Sequence, residues 1–101
     1  MDRGDRHEVV DMSDDLQHLG IPQLAQNIVE KAQQNNILIA LAESCTGGMI
    51  AAALTDVSGS SMVLDRGFVT YSNNAKMDIL GVSQTGLRDY GAVSEFTARA
   101  M

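Results

Sequence analysis

The chain has 101 residues, a formal net charge of −6, 45% hydrophobic residues and 4% aromatic residues. That length holds one domain with one modest core, and the acidic balance without a stripe of Lys or Arg argues against a nucleic-acid footprint. Cys45 is the sole cysteine, so an internal disulfide is impossible, and no run is apolar for long enough to span a membrane.

The first twenty residues form an acidic leader. Asp2, Asp5, Glu8, Asp11, Asp14 and Asp15 lie in a stretch with few large apolar residues apart from Val9, Val10, Met12 and the adjoining Leu16, a composition that favours a solvated, flexible extension. No basic segment followed by an apolar one precedes them, so no signal peptide is expected and a cytoplasmic location follows.

From Ile21-Pro22 the pattern turns helical. Proline at the first helical position gives up only an amide that has no partner there, and Leu24, Ile28 and Ala32 recur at four-residue spacing with Val29 widening the face. The spacing predicts an amphipathic helix over 22–34, ended by Asn35-Asn36. Ile37 to Ala42 is continuously apolar, as a strand covered on both faces by helices should be.

Glu43-Ser44-Cys45-Thr46-Gly47-Gly48 then leads into a second helix, whose packed face is Met49, Ile50, Ala53 and Leu54. Residues 56–61 form a connector, in which Ser60 or Ser61 is placed to cap a short helix containing Met62, Val63 and Leu64. Gly67 to Tyr71 reads as a second strand, rich in aromatic and β-branched types. Ser72-Asn73-Asn74 opens a helix through Ala75, Met77, Ile79 and Leu80 that Gly81 closes. A short helical turn is expected over 84–90, and Val93-Ser94-Glu95 resembles a staple residue, an N-cap and a first turn.

The chemistry concentrates in the loop after the first strand. Ligands of sheets flanked by helices favour the crevice beyond the carboxyl ends of the strands, where a helix start offers unpaired amides. Ser44, Thr46, Gly47 and Gly48 are thus candidates to hold a phosphate or a developing oxyanion. The spacing matches neither GxxxxGK[ST] nor GxGxxG, which excludes the usual nucleotide-binding loops.

Ser44 is the preferred nucleophile, because its hydroxyl faces a carbonyl while nearby amides receive the charge. Cys45 has no histidine after it, since His7 and His18 both precede the first helix, and a packing role is expected for it. Lys76 starts near the carboxyl end of the second strand. If the strands are parallel neighbours, Lys76 and Tyr71 reach the crevice of Ser44, the lysine as a base or as a phosphate ligand and the tyrosine as a catalytic candidate whose hydroxyl bonds the nucleophile or whose ring stacks on the ligand. Glu43 is available to orient Lys76 or a loop amide. Arg66, Arg88 and Arg99 are expected at the surface. No cluster has the spacing of a zinc or magnesium site.

Five segments carry a resemblance in their joint order and spacing. These are Ala42-Glu43-Ser44-Cys45-Thr46-Gly47-Gly48, Leu54-Thr55-Asp56 with Gly59-Ser60-Ser61, Arg66-Gly67-Phe68-Val69-Thr70-Tyr71-Ser72-Asn73 with Ala75-Lys76, Leu80-Gly81-Val82, and Tyr90-Gly91-Ala92-Val93-Ser94-Glu95. From Ile21 to Met101 the chain resembles the C-terminal domain of the competence-damage-inducible CinA family. The resemblance implies an α/β fold of three layers, α/β/α, and an amidohydrolase that converts nicotinamide mononucleotide to nicotinic acid mononucleotide and ammonia. It also implies that Ser44 is the nucleophile and Lys76 its partner, with Glu43, Thr46 and Tyr71 at motif positions near the site.

The same resemblance implies no cofactor, a small pyridine nucleotide as ligand, a homo-oligomer, and no nucleic-acid or membrane partner. The family's later Gly-rich segment and strands have no counterpart before Met101, so the expectation is a C-terminally truncated domain, its first half in 21–101. A chain that binds nucleotide or assembles without turnover, or an inactive fragment, is the competing expectation.

Overall fold

A computed structural model describes residues 19–101. The acidic residues of the expected leader, together with His7 and His18, lie outside the described residues. In chain order the elements are α1 (Ile21–Gln34), β1 (Ile39–Glu43), α2 (Met49–Thr55), a 3-10 turn (Ser60–Met62), β2 (Leu64–Val69), α3 (Asn73–Leu80), α4 (Gln84–Tyr90) and α5 (Glu95–Ala100).

Proline in the first turn and the apolar stripe produce α1 as expected, one residue earlier than the proline itself. The centre of its buried face is Ala25, Val29 and Ala32, with Ile28 packed beside them. Asn35 caps the end, its side chain donating to the Lys31 carbonyl at 2.8 Å, and Asn36 takes a left-handed φ of 53°. The Ile37 amide still closes back on the Ala32 carbonyl at 2.9 Å. That bond explains why β1 begins at Ile39 and not at Ile37: the first residues of the apolar run serve the helix end, and both Ile37 and Leu38 are exposed.

β1 and β2 lie side by side and parallel, with Ala42 opposite Phe68 and Glu43 opposite Val69. A register irregularity between Ile39 and Ala40 absorbs Asp65. β2 starts earlier than expected, at Leu64, and ends at Val69. The cause is tertiary: the Ile39 amide donates to the Val63 carbonyl at 2.7 Å, and Leu64 pairs with Ile39, so the segment expected as a short helix is drawn into the sheet after the 3-10 turn. That turn is preceded by Gly59 at φ 86° with no side-chain cap, so neither Ser60 nor Ser61 caps it.

The main core joins α1, α2 and one face of the sheet. Ala25, Val29, Ala32, Leu54 and Val63 are buried, and Ile39, Leu41, Ala53, Val57 and Leu64 pack against them. Burying one such Val or Leu contributes about 1.5–3 kcal/mol, so this cluster is the principal source of stability in the first half of the fold. Ala40 and Ala42 point away from it and are exposed, which departs from the expectation of a strand covered on both faces.

Serine caps punctuate the second half. Ser72 accepts from the Ala75 amide, Ser83 from the Gly86 amide and Ser94 from the Thr97 amide. α4 and α5 pack together through a stack of Tyr90 on Phe96, with ring centroids 4.8 Å apart. Phe96 lies against the bare Cα of Gly86, where a Cβ would come within 2.1 Å of the ring. Val93 is 85% exposed and so does not act as the expected staple. Arg66, Arg88 and Arg99 are exposed as expected and pair with Asp65, Asp89 and Glu95, contacts that contribute little in water.

Candidate active site

β1 delivers the loop to the carboxyl edge of the sheet. Gly47 and Gly48 have left-handed φ values of 62° and 102°, a conformation that any Cβ would strain, and together they turn the chain into α2. The turn is fixed by the Gly47 amide donating to the Ser44 carbonyl at 3.0 Å and the Met49 amide to the Thr46 carbonyl at 3.1 Å.

Glu43 sits under this loop, nearly inaccessible at 3% exposure. Its carboxylate accepts from the Thr46 hydroxyl at 2.7 Å, the Ile50 amide at 2.9 Å and the Ala51 amide at 3.0 Å. Burial pushes the Glu43 carboxyl up. The hydrogen bonds from the Ile50 amide, the Thr46 hydroxyl, and the Ala51 and Gly48 amides outweigh it and hold the group below the usual carboxylate range. The acid therefore caps α2, satisfying amides that a helix start leaves open.

Of the alternatives expected for Glu43, orienting Lys76 or a loop amide, the arrangement shows the amide: its oxygens are committed to Thr46 and the start of α2 and not to Lys76. One expectation is corrected. The place at the start of α2 expected for a phosphate or oxyanion is occupied by the protein's own carboxylate. The amide of Gly47 is also spent within the turn. Among the described residues, no acceptor meets the amides of Cys45 and Thr46.

Lys76 emerges from the first turn of α3 and is 1% exposed, not solvated. Its Nζ donates to the Tyr71 carbonyl at 2.9 Å. No carboxylate is bonded to this amine among the described residues. The Thr70 amide donates to the Glu43 carbonyl at 2.8 Å, extending the parallel ladder one step past the strand ends. Adjacent strands lie about 4.8 Å apart. Lys76 is thus anchored on the segment that leaves β2, the strand beside the one that leads to Ser44, at the same end of the sheet.

A cleft of about 300 Å³ opens at that end, lined by Ala42, Glu43, Ser44, Cys45 and Thr46 on one side and by Ala92, Val93, Ser94, Ala98 and Met101 on the other. This wall was not foreseen, since only the fold brings α5 to the loop after β1. Its one legible signal was the N-cap at Ser94, which fixes where the wall begins. Lys76 and Tyr71 were expected to line the crevice and do not. The Tyr71 side chain is 71% exposed, and it is the backbone carbonyl of this residue that serves the lysine. Cys45 is exposed at the rim and does not pack in the core.

Thr70 went unremarked in the sequence, yet it is fully buried and its Oγ1 has no hydrogen-bond partner among the described residues. Among these residues no helix is long and apolar enough to cross a membrane, and no group of three His, Cys, Asp or Glu side chains could hold a metal ion.

The family model of the CinA C-terminal domain matches residues 21–101. A nicotinamide-nucleotide amidohydrolase, PncC, from Enterobacter agglomerans is 60% identical over 63 residues, which are 62% of this chain and 38% of that protein. A CinA-like protein from Syntrophotalea carbinolica is 45% identical over all 101 residues and 24% of its own length. Among solved structures, the competence/damage inducible protein CihA from Agrobacterium tumefaciens superposes with a TM-score of 0.78 at 52% identity, covering 80% of this chain and 49% of that one. A CinA superfamily protein from Escherichia coli gives 0.79 at 35% identity, covering 92% and 52%. The chain therefore spans about half of those solved chains, and its mixed architecture of helices and parallel strands is that of their superfamily.

Proposed function

The chain belongs to the CinA C-terminal domain family, and from that membership we propose that it carries the nucleophile and the base of an amidohydrolase for nicotinamide nucleotides. The reaction converts nicotinamide mononucleotide and water to nicotinic acid mononucleotide and ammonia. The name of the Enterobacter relative supports this substrate class, and the activity is proposed for the assembled domain, of which this chain spans about half.

One observation carries the reading: a buried amine, bonded to no carboxylate among the described residues, is held at the sheet end where Ser44 leaves β1. In its neutral form Lys76 takes the proton of the Ser44 hydroxyl as Oγ attacks the carboxamide carbon. The amides of Cys45 and Thr46 receive the charge on the carbonyl oxygen. Lys76 then returns the proton to the departing nitrogen, ammonia leaves, and water hydrolyses the ester to release the acid and free Ser44. For this step the lysine leaves the Tyr71 carbonyl and turns to Ser44.

Thr46, Gly47 and Gly48 shape the loop around the substrate, and Glu43 holds that shape through α2. The exposed Tyr71 side chain is assigned to the nucleotide's edge and not to proton transfer. The single exposed cysteine agrees with a reducing, cytoplasmic setting, and a homo-oligomer is proposed to complete the open cleft.

Ammonia release from nicotinamide mononucleotide tests the proposal, measured for the wild-type sequence and for Ser44→Ala in the same background. Loss of release with an unchanged circular-dichroism spectrum is expected. Undiminished release by Ser44→Ala would sink the mechanism, and nucleotide binding without any release would favour a binding or assembly domain.

A further inference from the structure

We propose that Thr70 is a positioning residue, whose hydroxyl holds Ser44 by a hydrogen bond across the parallel strands; the inference rests on the reading of Ser44 as the nucleophile. β1 and β2 pair Ala42 with Phe68 and Glu43 with Val69, and the Thr70 amide continues the ladder onto the Glu43 carbonyl at 2.8 Å. One further step of that register sets Ser44 beside Thr70. Alternation along each strand puts Ser44 on the face of Ala42, with which it lines the cleft, and Thr70 on the face of Phe68. Ala42 and Phe68 are themselves opposite one another, so the two hydroxyl-bearing residues share a face.

Neither hydroxyl is spent elsewhere. Thr70 is 0% exposed and its Oγ1 has no partner among the described residues, while the Ser44 hydroxyl is free of hydrogen bonds to them. A buried hydroxyl with no partner is costly relative to one that is bonded, so a fold retains one where it serves something else. In the proposed arrangement χ1 of Ser44 turns its Oγ toward the Thr70 hydroxyl, which donates to it.

The amine of Lys76 enters from the same strand, since its anchor is the carbonyl of the residue after Thr70. With Thr70 donating its hydroxyl proton to Ser44 Oγ, the serine's own proton stays free for Lys76 and one rotamer is selected from which that proton passes to the amine. Without it, the serine samples several rotamers and meets the amine in only some of them.

The test uses the chain with Thr70→Val, which keeps the shape and removes the hydroxyl, and Thr70→Ser, which keeps the hydroxyl. Three quantities are read: the Hα–Hβ couplings of Ser44 by NMR, the rate at which a fluorophosphonate probe labels Ser44, and the thermal midpoint. The wild-type couplings should report a single χ1 rotamer. Thr70→Val should average them and slow labelling roughly tenfold or more, with the midpoint unchanged or raised. Thr70→Ser should restore both. Averaged couplings in the wild type, or identical couplings and labelling in Thr70→Val, overturn the proposal. A lowered midpoint in Thr70→Val with unchanged couplings also overturns it, making the hydroxyl structural. Couplings that respond to Thr70→Val in a chain that neither labels nor releases ammonia support the positioning role and reject the hydrolase reading alone.

Discussion

The Ile50 amide donates to Glu43 Oε1 at 2.9 Å, which makes the last residue of β1 the cap of the helix that follows it. Strand, loop and helix are thereby fixed to one another at a single carboxylate. The loop that presents Ser44 is bracketed between the two ends of that contact, so its geometry depends on an acid that need not touch the substrate.

Glu43→Ala should therefore lower stability and activity together. It strands the Ile50 and Ala51 amides and the Thr46 hydroxyl, a loss of about 2 kcal/mol. Urea unfolding measures the first effect and ammonia release the second. Glu43→Gln should fall between wild type and Glu43→Ala in stability, because one amide oxygen can still accept.

Acid should weaken the same contact. The folded Glu43 carboxyl lies below its ordinary value of 4.5, so its contribution is fully present above that pH and is lost as pH falls through the lower, folded value. Urea midpoints measured from neutral pH down through the acid range should drop in wild type, and drop less in Glu43→Gln. Equal slopes in the two proteins would remove Glu43 from the account.

Lys76→Met replaces a buried amine by an apolar chain of similar length. The structural loss is the bond to the Tyr71 carbonyl, about 1 kcal/mol, partly offset by no longer burying a polar group. Deamidation should fall by about a hundredfold or more while the fold persists. Activity near wild type would assign the proton transfer to another group.

Gly86→Ala tests the contact between α4 and α5. Alanine within a helix ordinarily stabilises by about 1 kcal/mol relative to glycine. Here its Cβ would meet Phe96 at 2.1 Å, so the ring must move, with or without α5, at a cost of about 1–3 kcal/mol. The thermal midpoint should fall, and nucleotide affinity with it, because Ser94 and Ala98 on the segment that carries Phe96 line the cleft.

Cys45 should react with a thiol reagent in the native protein at a rate close to that of a free thiol, since it is exposed at the rim of the cleft. Nicotinamide mononucleotide should protect it. Cys45→Ala should change stability by less than about 0.5 kcal/mol, as expected of a side chain outside the core.

Local signals in the sequence account for much of this fold. Proline before a 3.6-residue apolar stripe marks α1, and Ser72, Ser83 and Ser94 mark helix starts because a cap is a contact between near neighbours. The misplaced boundaries have long-range causes. Leu64 joins β2 because Ile39, far back in the chain, pairs with it. Ala25 takes the centre of α1 beside Val29, while Leu24 is only half-buried, a choice made by the surface against which the helix rests.

The candidate site was legible in its residue types and less so in its connections. Ser44 and Lys76 stood out as nucleophile and amine. Glu43 stood out as an acid, but the competition between a lysine and two helix amides for its oxygens is decided by geometry. Tyr71 drew notice for its hydroxyl, whereas the structure employs its carbonyl, a group every residue possesses and no pattern of side chains can reveal. Thr70 escaped notice because its distinction is burial without a partner, which exists only once the strands are paired.

The anchoring of Lys76 on a main-chain oxygen has a consequence for how this site tolerates change. Position 71 can exchange one side chain for another across evolutionary drift or a mutational scan without altering the amine's resting place, because the acceptor is common to all twenty residues. Sensitivity moves instead to whatever rotates that peptide plane, so a proline introduced next door at 72 should damage the amine's placement more than removing the tyrosine ring itself.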